Sequence, residues 1–205
     1  MPLPTDFASS LGRLGIGNDD LVVVYDDLGG VVAARLWWML TAIGHDDVAI
    51  LDGGLRAWTN AGGELTSNAP GPEQVVFATD FVGWPGTLDR LHLEQRLGSL
   101  RLIDARAPER FRGDSEPIDP VAGRIPTAVN IPTDAHLGPG SHFRSAADLA
   151  TLYGEQELPT VVYCGSGVSA CHNAFAMELA GLPRPMLYPG SWSDWSMSGG
   201  AIETG

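Results

Sequence analysis

The sequence predicts an α/β fold built on a doubly wound parallel sheet, arranged as two tandem units of which the first is incomplete. Three observations point to it. Short apolar runs such as 21–25, 48–51, 100–103, 161–163 and 186–188 alternate with helix-length segments, the pattern of strands linked by crossover helices. One unit, strand–turn–helix–strand–Gly–Trp, occurs twice. Tyr25 and Tyr163 are 138 positions apart, and Gly44 and Gly181, Gly53 and Gly190, and Trp58 and Trp195 are each 137 apart. Finally, the second copy is preceded by strand signals at 100–103 and 128–132 and a helix-like segment at 146–153, which the first copy lacks. Projected back by the same length, the first copy would begin before Met1, so its opening strands are expected to be missing.

The elements follow in order. Residues 21–25 read as a strand and Gly29-Gly30 as a turn. A helix then ends at Gly44, a natural residue just past a helix C-terminus. A second strand at 48–51 leads to Asp52-Gly53-Gly54. Residues 1–60 are thus read as the back half of one unit and 61–98 as a connection with an amphipathic end at 88–97. Residues 99–205 are read as the complete unit. In that unit the strand 161–163 runs straight into Cys164, and a helix follows from about Val168 to Gly181. In parallel sheets of this kind ligands sit at the carboxyl ends of the strands, so Cys164 stands where a ligand is expected.

Composition narrows the function. Lys and Arg total 12 against 25 Asp and Glu, a net charge of -13. So acidic a chain is not expected to bind nucleic acid or an anionic membrane. All 12 basic residues are Arg, which excludes Schiff-base, P-loop and kinase-type lysines. The segment 1–10 has no leader pattern. The longest apolar stretch, between Val31 and Ile43, is interrupted by Arg35 and too short to span a bilayer. Two cysteines do not make a disulfide framework. A cytoplasmic location is expected, with no metal, since the five histidines show no ligand spacing.

The segment Cys164-Gly165-Ser166-Gly167-Val168-Ser169 carries the chemistry. Glycines at 165 and 167 let the backbone curl so that several N–H groups converge on one spot, and the following helix adds the positive end of its dipole. Such a ring stabilises a thiolate and would also hold an anion bonded to its sulfur. Cys164 reads as a nucleophile in an anion cradle. Its counterpart in the first copy is Asp26, which is not a thiol, so that unit is expected to be catalytically silent. Asp104 and Arg106, at a strand end, are expected to form a structural ion pair, and Cys171 to face the core. A cysteine phosphatase would need an arginine six positions after the cysteine; Ala170 stands there.

Several segments together resemble the rhodanese sulfurtransferases. They are the Cys164–Val168 loop, 102–106 with Glu109-Arg110-Phe111, 123–132, and 190–195. The third is similar to the family's Gly-His-Ile-Pro-Gly-Ala-x-Asn motif, with Arg124 and Thr127 replacing its His and second Gly. The resemblance implies a rhodanese-like fold without a cofactor. It implies that Cys164 takes a sulfane sulfur from thiosulfate or 3-mercaptopyruvate, holds it as a persulfide and passes it to cyanide or a thiol. Its partners would be a small anionic sulfur donor and a thiophilic acceptor. Arg110 would bind the donor's anionic end, and Ser166 matches a serine held to relay a proton. The mercaptopyruvate enzymes use a second arginine nine residues after the first; here that position is Asp119. The alternative is a non-catalytic rhodanese-like sulfur carrier or interaction protein, whose incomplete first sheet would favour a homodimer.

Overall fold

The computed structural model describes residues 1–68 and 71–205. They fall into two compact units, Met1–Pro85 and Gly86–Gly205, so the stretch 61–98 is divided between them.

In the first unit, residues without a polar cap signal form α1 (Pro4–Arg13), with Pro4 at its start and Phe7, Ala8 and Leu11 buried along one face. β1 (Val22–Val24) pairs in parallel with β2 (Val48–Ile50). Between them runs α2 (Ala33–Ala42), which buries Trp37, Trp38 and Leu40. α3 (Gly54–Asn60) follows β2. The Asp26 turn joins β1 to α2.

The second unit begins with α4 (Arg90–Gln95), capped by the Asp89 side chain, which accepts from the His92 amide. Leu88 and Leu93 are part of this unit's core. Its sheet holds β3 (Arg101–Asp104), β4 (Val129–Asn130), β5 (Thr160–Tyr163) and β6 (Met186–Leu187) in the parallel order β4-β3-β5-β6. The central strand β5 is buried along its whole length. This is why Thr160-Val161-Val162-Tyr163 reads as one run rather than an alternation. Around the sheet lie α5 (Pro108–Arg112), α6 (Ala146–Tyr153), α7 (Ala170–Leu179) and α8 (Ser191–Met197). α7 buries every residue from Ala170 to Met177, as expected of a helix without a polar face.

From β3 the chain moves outward to β4, then returns across β3 to β5. The strand order reverses between β3 and β5, and the crevice at their carboxyl ends is the topological switch point. Asp104 closes β3 there, and Cys164 follows β5.

Behind α7 lies a polar chain that sequence spacing does not reveal. Asn173 Nδ2 donates to the Ile131 carbonyl at 3.1 Å, which turns its Oδ1 toward the Tyr153 hydroxyl at 2.7 Å. Tyr153 donates there, so at 2.8 Å it accepts from His136 Nε2. His136 Nδ1 then accepts from His172 Nδ1, also at 2.8 Å. The His136 ring is neutral in this arrangement. Burial, and after it the neighbouring His172, pushes the His136 pKa down from 6.5 to about 3.

An unfolded chain takes up this proton below pH 6.5 and the folded one does not, so stability is lost as pH falls through that value toward 3. Going from pH 6.5 to about 5 should cost about 2 kcal/mol from this site. Urea titrations at the two pH values measure it. The pH dependence should shrink in His136→Gln; an unchanged slope in that variant would contradict the assignment.

Candidate active site

Cys164 is held by the backbone on both sides of it. Its amide donates to Ser191 Oγ at 3.1 Å, and Ser191 Oγ in turn donates to the Tyr188 carbonyl at 2.9 Å. The Trp192 and Ser193 amides, at the start of α8, donate to the Cys164 and Gly165 carbonyls, each at 2.9 Å. The loop from β5 is thereby braced against α8.

One amide of the loop reaches the sulfur. The Gly167 amide donates to Cys164 Sγ at 3.1 Å. Gly167 takes φ +78°, and a Cβ there would stand 2.6 Å from the Pro189 carbonyl oxygen, so only glycine fits. Cys164 and Gly167 are buried, Gly165, Val168 and Ser169 are half-buried, and Ser166 is exposed. Cys171 is fully buried, with its Sγ 3.5 Å from the Gly167 carbonyl.

The equivalent turn of the first unit shows what this backbone can hold. There the Asp26 carboxylate accepts from four amides, those of Leu28, Gly30, Val32 and Ala33, at 2.7–2.8 Å. Burial raises the Asp26 pKa, but the Ala33, Gly30, Leu28 and Val32 amides outweigh it and hold the carboxyl below its ordinary value. Gly30 and Gly167, 137 positions apart, both have positive φ and both point an amide at the side chain that opens the turn. In the first unit four amides converge on a carboxylate, and in the second the Gly167 amide reaches the thiol.

Arg110 lies beside this loop. A Cβ on Gly165 would stand 3.6 Å from both Arg110 Nη atoms. The guanidinium is clasped from its other side: Nε and Nη2 donate to Glu116 at 2.6–3.1 Å, and Nη2 lies 3.4 Å from Asp119 Oδ2. Asp119, the residue in the expected place of a second arginine, thus adds a negative charge to Arg110. Glu116 also bridges to Arg106 Nη1 at 3.2 Å. Its burial raises the carboxyl pKa, but the Arg110 hydrogen bonds and the Asp119 and Ile118 amides together bring it below its ordinary value.

Beneath these groups the expected ion pair is present. Arg106 and Asp104 are buried, 2.7 Å apart, and Arg106 Nη2 also donates to the Gly123 carbonyl at 2.7 Å. The guanidinium lies 4.6 Å from the centre of the Trp192 ring. Glu116 and Ser191 are the site residues that sequence reasoning missed. Glu116 sits in an irregular loop, and Ser191 had a signal only as part of the 190–195 segment. Among the described residues no group of three or more His, Cys, Asp or Glu side chains is placed to hold a metal ion.

A model of the rhodanese-like domain matches residues 2–61 and 87–198. The chain belongs to the rhodanese-like sulfurtransferase family. It is 46% identical over 206 residues to a Pseudomonas aeruginosa protein named "Probable 3-mercaptopyruvate sulfurtransferase", covering 95% of this chain and 71% of that one. It is 35% identical over 209 residues to the thiosulfate sulfurtransferase of Gallus gallus, covering 95% and 70% respectively. Among solved structures, the Tum1 protein of Saccharomyces cerevisiae superposes with a TM-score of 0.86 at 26% identity, over 100% of this chain and 76% of that one. The rhodanese-like α/β fold and the two matched segments agree with the repeat read from the sequence. No helix of the described residues is long and apolar enough to cross a membrane.

Proposed function

We propose that this rhodanese-like sulfurtransferase carries sulfur on Cys164, taking it from thiosulfate or 3-mercaptopyruvate and delivering it to cyanide or a thiol. With thiosulfate, the Cys164 thiolate attacks the outer sulfur. A new S–S bond forms, the donor's S–S bond breaks, and sulfite leaves with the electron pair. The persulfide is an anion on the sulfur next to Cys164 Sγ. Cyanide then attacks that outer sulfur, thiocyanate departs and the thiolate returns. No net oxidation is needed in either half.

The observation that carries this reading is the carboxylate cradle around Asp26. The turn at the corresponding place in the first unit holds a carboxylate on four amides, and in the second unit a thiol opens the turn and takes the Gly167 amide. At the offset of 137 that relates Gly30 to Gly167, the four amides correspond to those of Gly165, Gly167, Ser169 and Ala170, which would hold the persulfide. Oriented amides of this kind stabilise charge without having to reorganise during the reaction.

Arg110 supplies the cation beside the loop, with its charge partly balanced by Glu116 and Asp119. We assign it to the donor's anionic end. Arg110→Ala should raise the KM for thiosulfate at least about tenfold, a loss of about 1.4 kcal/mol. The step from persulfide to cyanide should be nearly unchanged. Glu116→Gln should act oppositely and lower the KM for either donor, because it removes a negative charge competing for the guanidinium. Steady-state kinetics with each donor test both. Equal KM values in the wild type and Arg110→Ala would remove Arg110 from the site.

A further inference from the structure

A cavity lies in the unit that holds Cys164, at the opposite end of its sheet. It is lined by Gly98, Leu100, Arg101, Thr127, Glu155, Glu157 and Leu158, and its volume is about 440 Å³. That is within the roughly 300–1,000 Å³ of small-molecule sites. Arg101 opens β3, paired in register with Thr160 at the start of β5, and Cys164 follows the end of β5. The four residues of β5 separate the two ends by about 13 Å, so this cavity is distinct from the sulfur site.

Three features mark it as built for a ligand. Arg101 Nη2 donates to the Tyr153 carbonyl at 2.6 Å, while its Nη1 is buried and has no hydrogen-bond partner among the described residues. A buried guanidinium N–H left unpaired is costly, and native proteins rarely keep one without a reason. Thr127, where the family-like motif has glycine, takes φ +67°. A β-branched residue in the left-handed region is a genuine outlier, and such strain persists only where the surroundings impose it. Lastly, Glu155 and Glu157 border the cavity, are exposed, and form no salt bridge among the described residues. Leu100 and Leu158 are the apolar side chains of its lining.

From these we infer that the cavity binds a free α-amino acid with an apolar side chain: the carboxylate on Arg101, the ammonium between Glu155 and Glu157, and the side chain against Leu100 and Leu158. An anion alone does not suit the site, because Glu155 and Glu157 line the cavity together with its one guanidinium. A cation alone leaves the Arg101 N–H unpaired. A zwitterion answers both, and the forked guanidinium suits a carboxylate.

The test is calorimetric titration of the intact chain with L-leucine, 4-methylpentanoate, which lacks the ammonium, and 3-methylbutylamine, which lacks the carboxylate. Leucine should bind saturably, and each truncated analogue at least about tenfold more weakly. Arg101→Met should lose leucine binding. Because Arg101 also holds the Tyr153 carbonyl, the paired variant Glu155→Gln/Glu157→Gln, on an exposed loop, gives an independent reading. It should weaken leucine at least about tenfold while leaving 4-methylpentanoate no weaker. Thiocyanate formation should be unchanged in that variant. Absence of saturable leucine binding, leucine binding unchanged in the glutamate variant, or 4-methylpentanoate binding as tightly as leucine would each overturn the inference.

Discussion

Cys164→Ser should lower thiocyanate formation from cyanide by a factor of at least about 1,000 with either donor. Serine keeps the size of the side chain, and its oxygen still accepts from the Gly167 amide that now reaches Sγ at 3.1 Å. The fold and the cradle should therefore survive, and stability should change little. What is lost is a group that can bond to sulfur and leave as a stable anion. Cys171→Ser serves as the contrast. Cys171 is buried on α7, with its Sγ toward the Gly167 carbonyl rather than an amide, so its replacement should retain most activity. Comparable rates in Cys164→Ser and the wild type would remove Cys164 from the mechanism.

Asp104→Ala should destabilise the second unit by about 3–5 kcal/mol. The Asp104 side chain is fully buried and accepts from the Arg106 amide at 2.9 Å, from its Nε at 3.0–3.1 Å and from its Nη2 at 2.7 Å. Arg106 is buried as well. Burial by itself lowers the Arg106 pKa, and the hydrogen bond and charge of Asp104 more than reverse that. Removing the carboxylate leaves a guanidinium over Trp192 with Glu116 as its remaining ion-pair partner. Asp104→Asn, which retains acceptor atoms, should cost less than the alanine variant. Urea denaturation of the three proteins measures the order. A loss below about 1 kcal/mol for Asp104→Ala would show that the pair is not a structural anchor.

The same pair shows why part of this protein is legible in its sequence. Asp104 and Arg106 are two residues apart at a strand end, so local geometry alone brings them together. The strand–loop–helix order around Cys164 is legible for the same reason: strand, thiol, two glycines and helix are contiguous. The repeat is visible because Gly44, Gly53 and Trp58 recur at one offset as Gly181, Gly190 and Trp195.

What the sequence conceals depends on long-range packing. Glu116 clasps Arg110 only because an irregular loop after α5 folds back. The chain from Asn173 through Tyr153 and His136 to His172 joins α6, α7 and the 3-10 turn at 133–136, with partners up to 42 positions apart. No spacing rule finds such a set. Helix α1 is hidden for a different reason: it starts on Leu3-Pro4 without a polar cap, and its apolar face is short. The connection expected at 61–98 parts between two units because Leu88 and Leu93, an amphipathic pair in isolation, are claimed by the core of the second.

The role of Cys164 is tested most directly by the mass of the intact protein after incubation with thiosulfate, before and after cyanide. The wild type should gain one sulfur atom, located on the peptide containing Cys164, and lose it to cyanide with one equivalent of thiocyanate. Cys164→Ser should gain none. A folded wild-type protein that gains no sulfur, or a gain that persists in Cys164→Ser, would contradict a Cys164 persulfide.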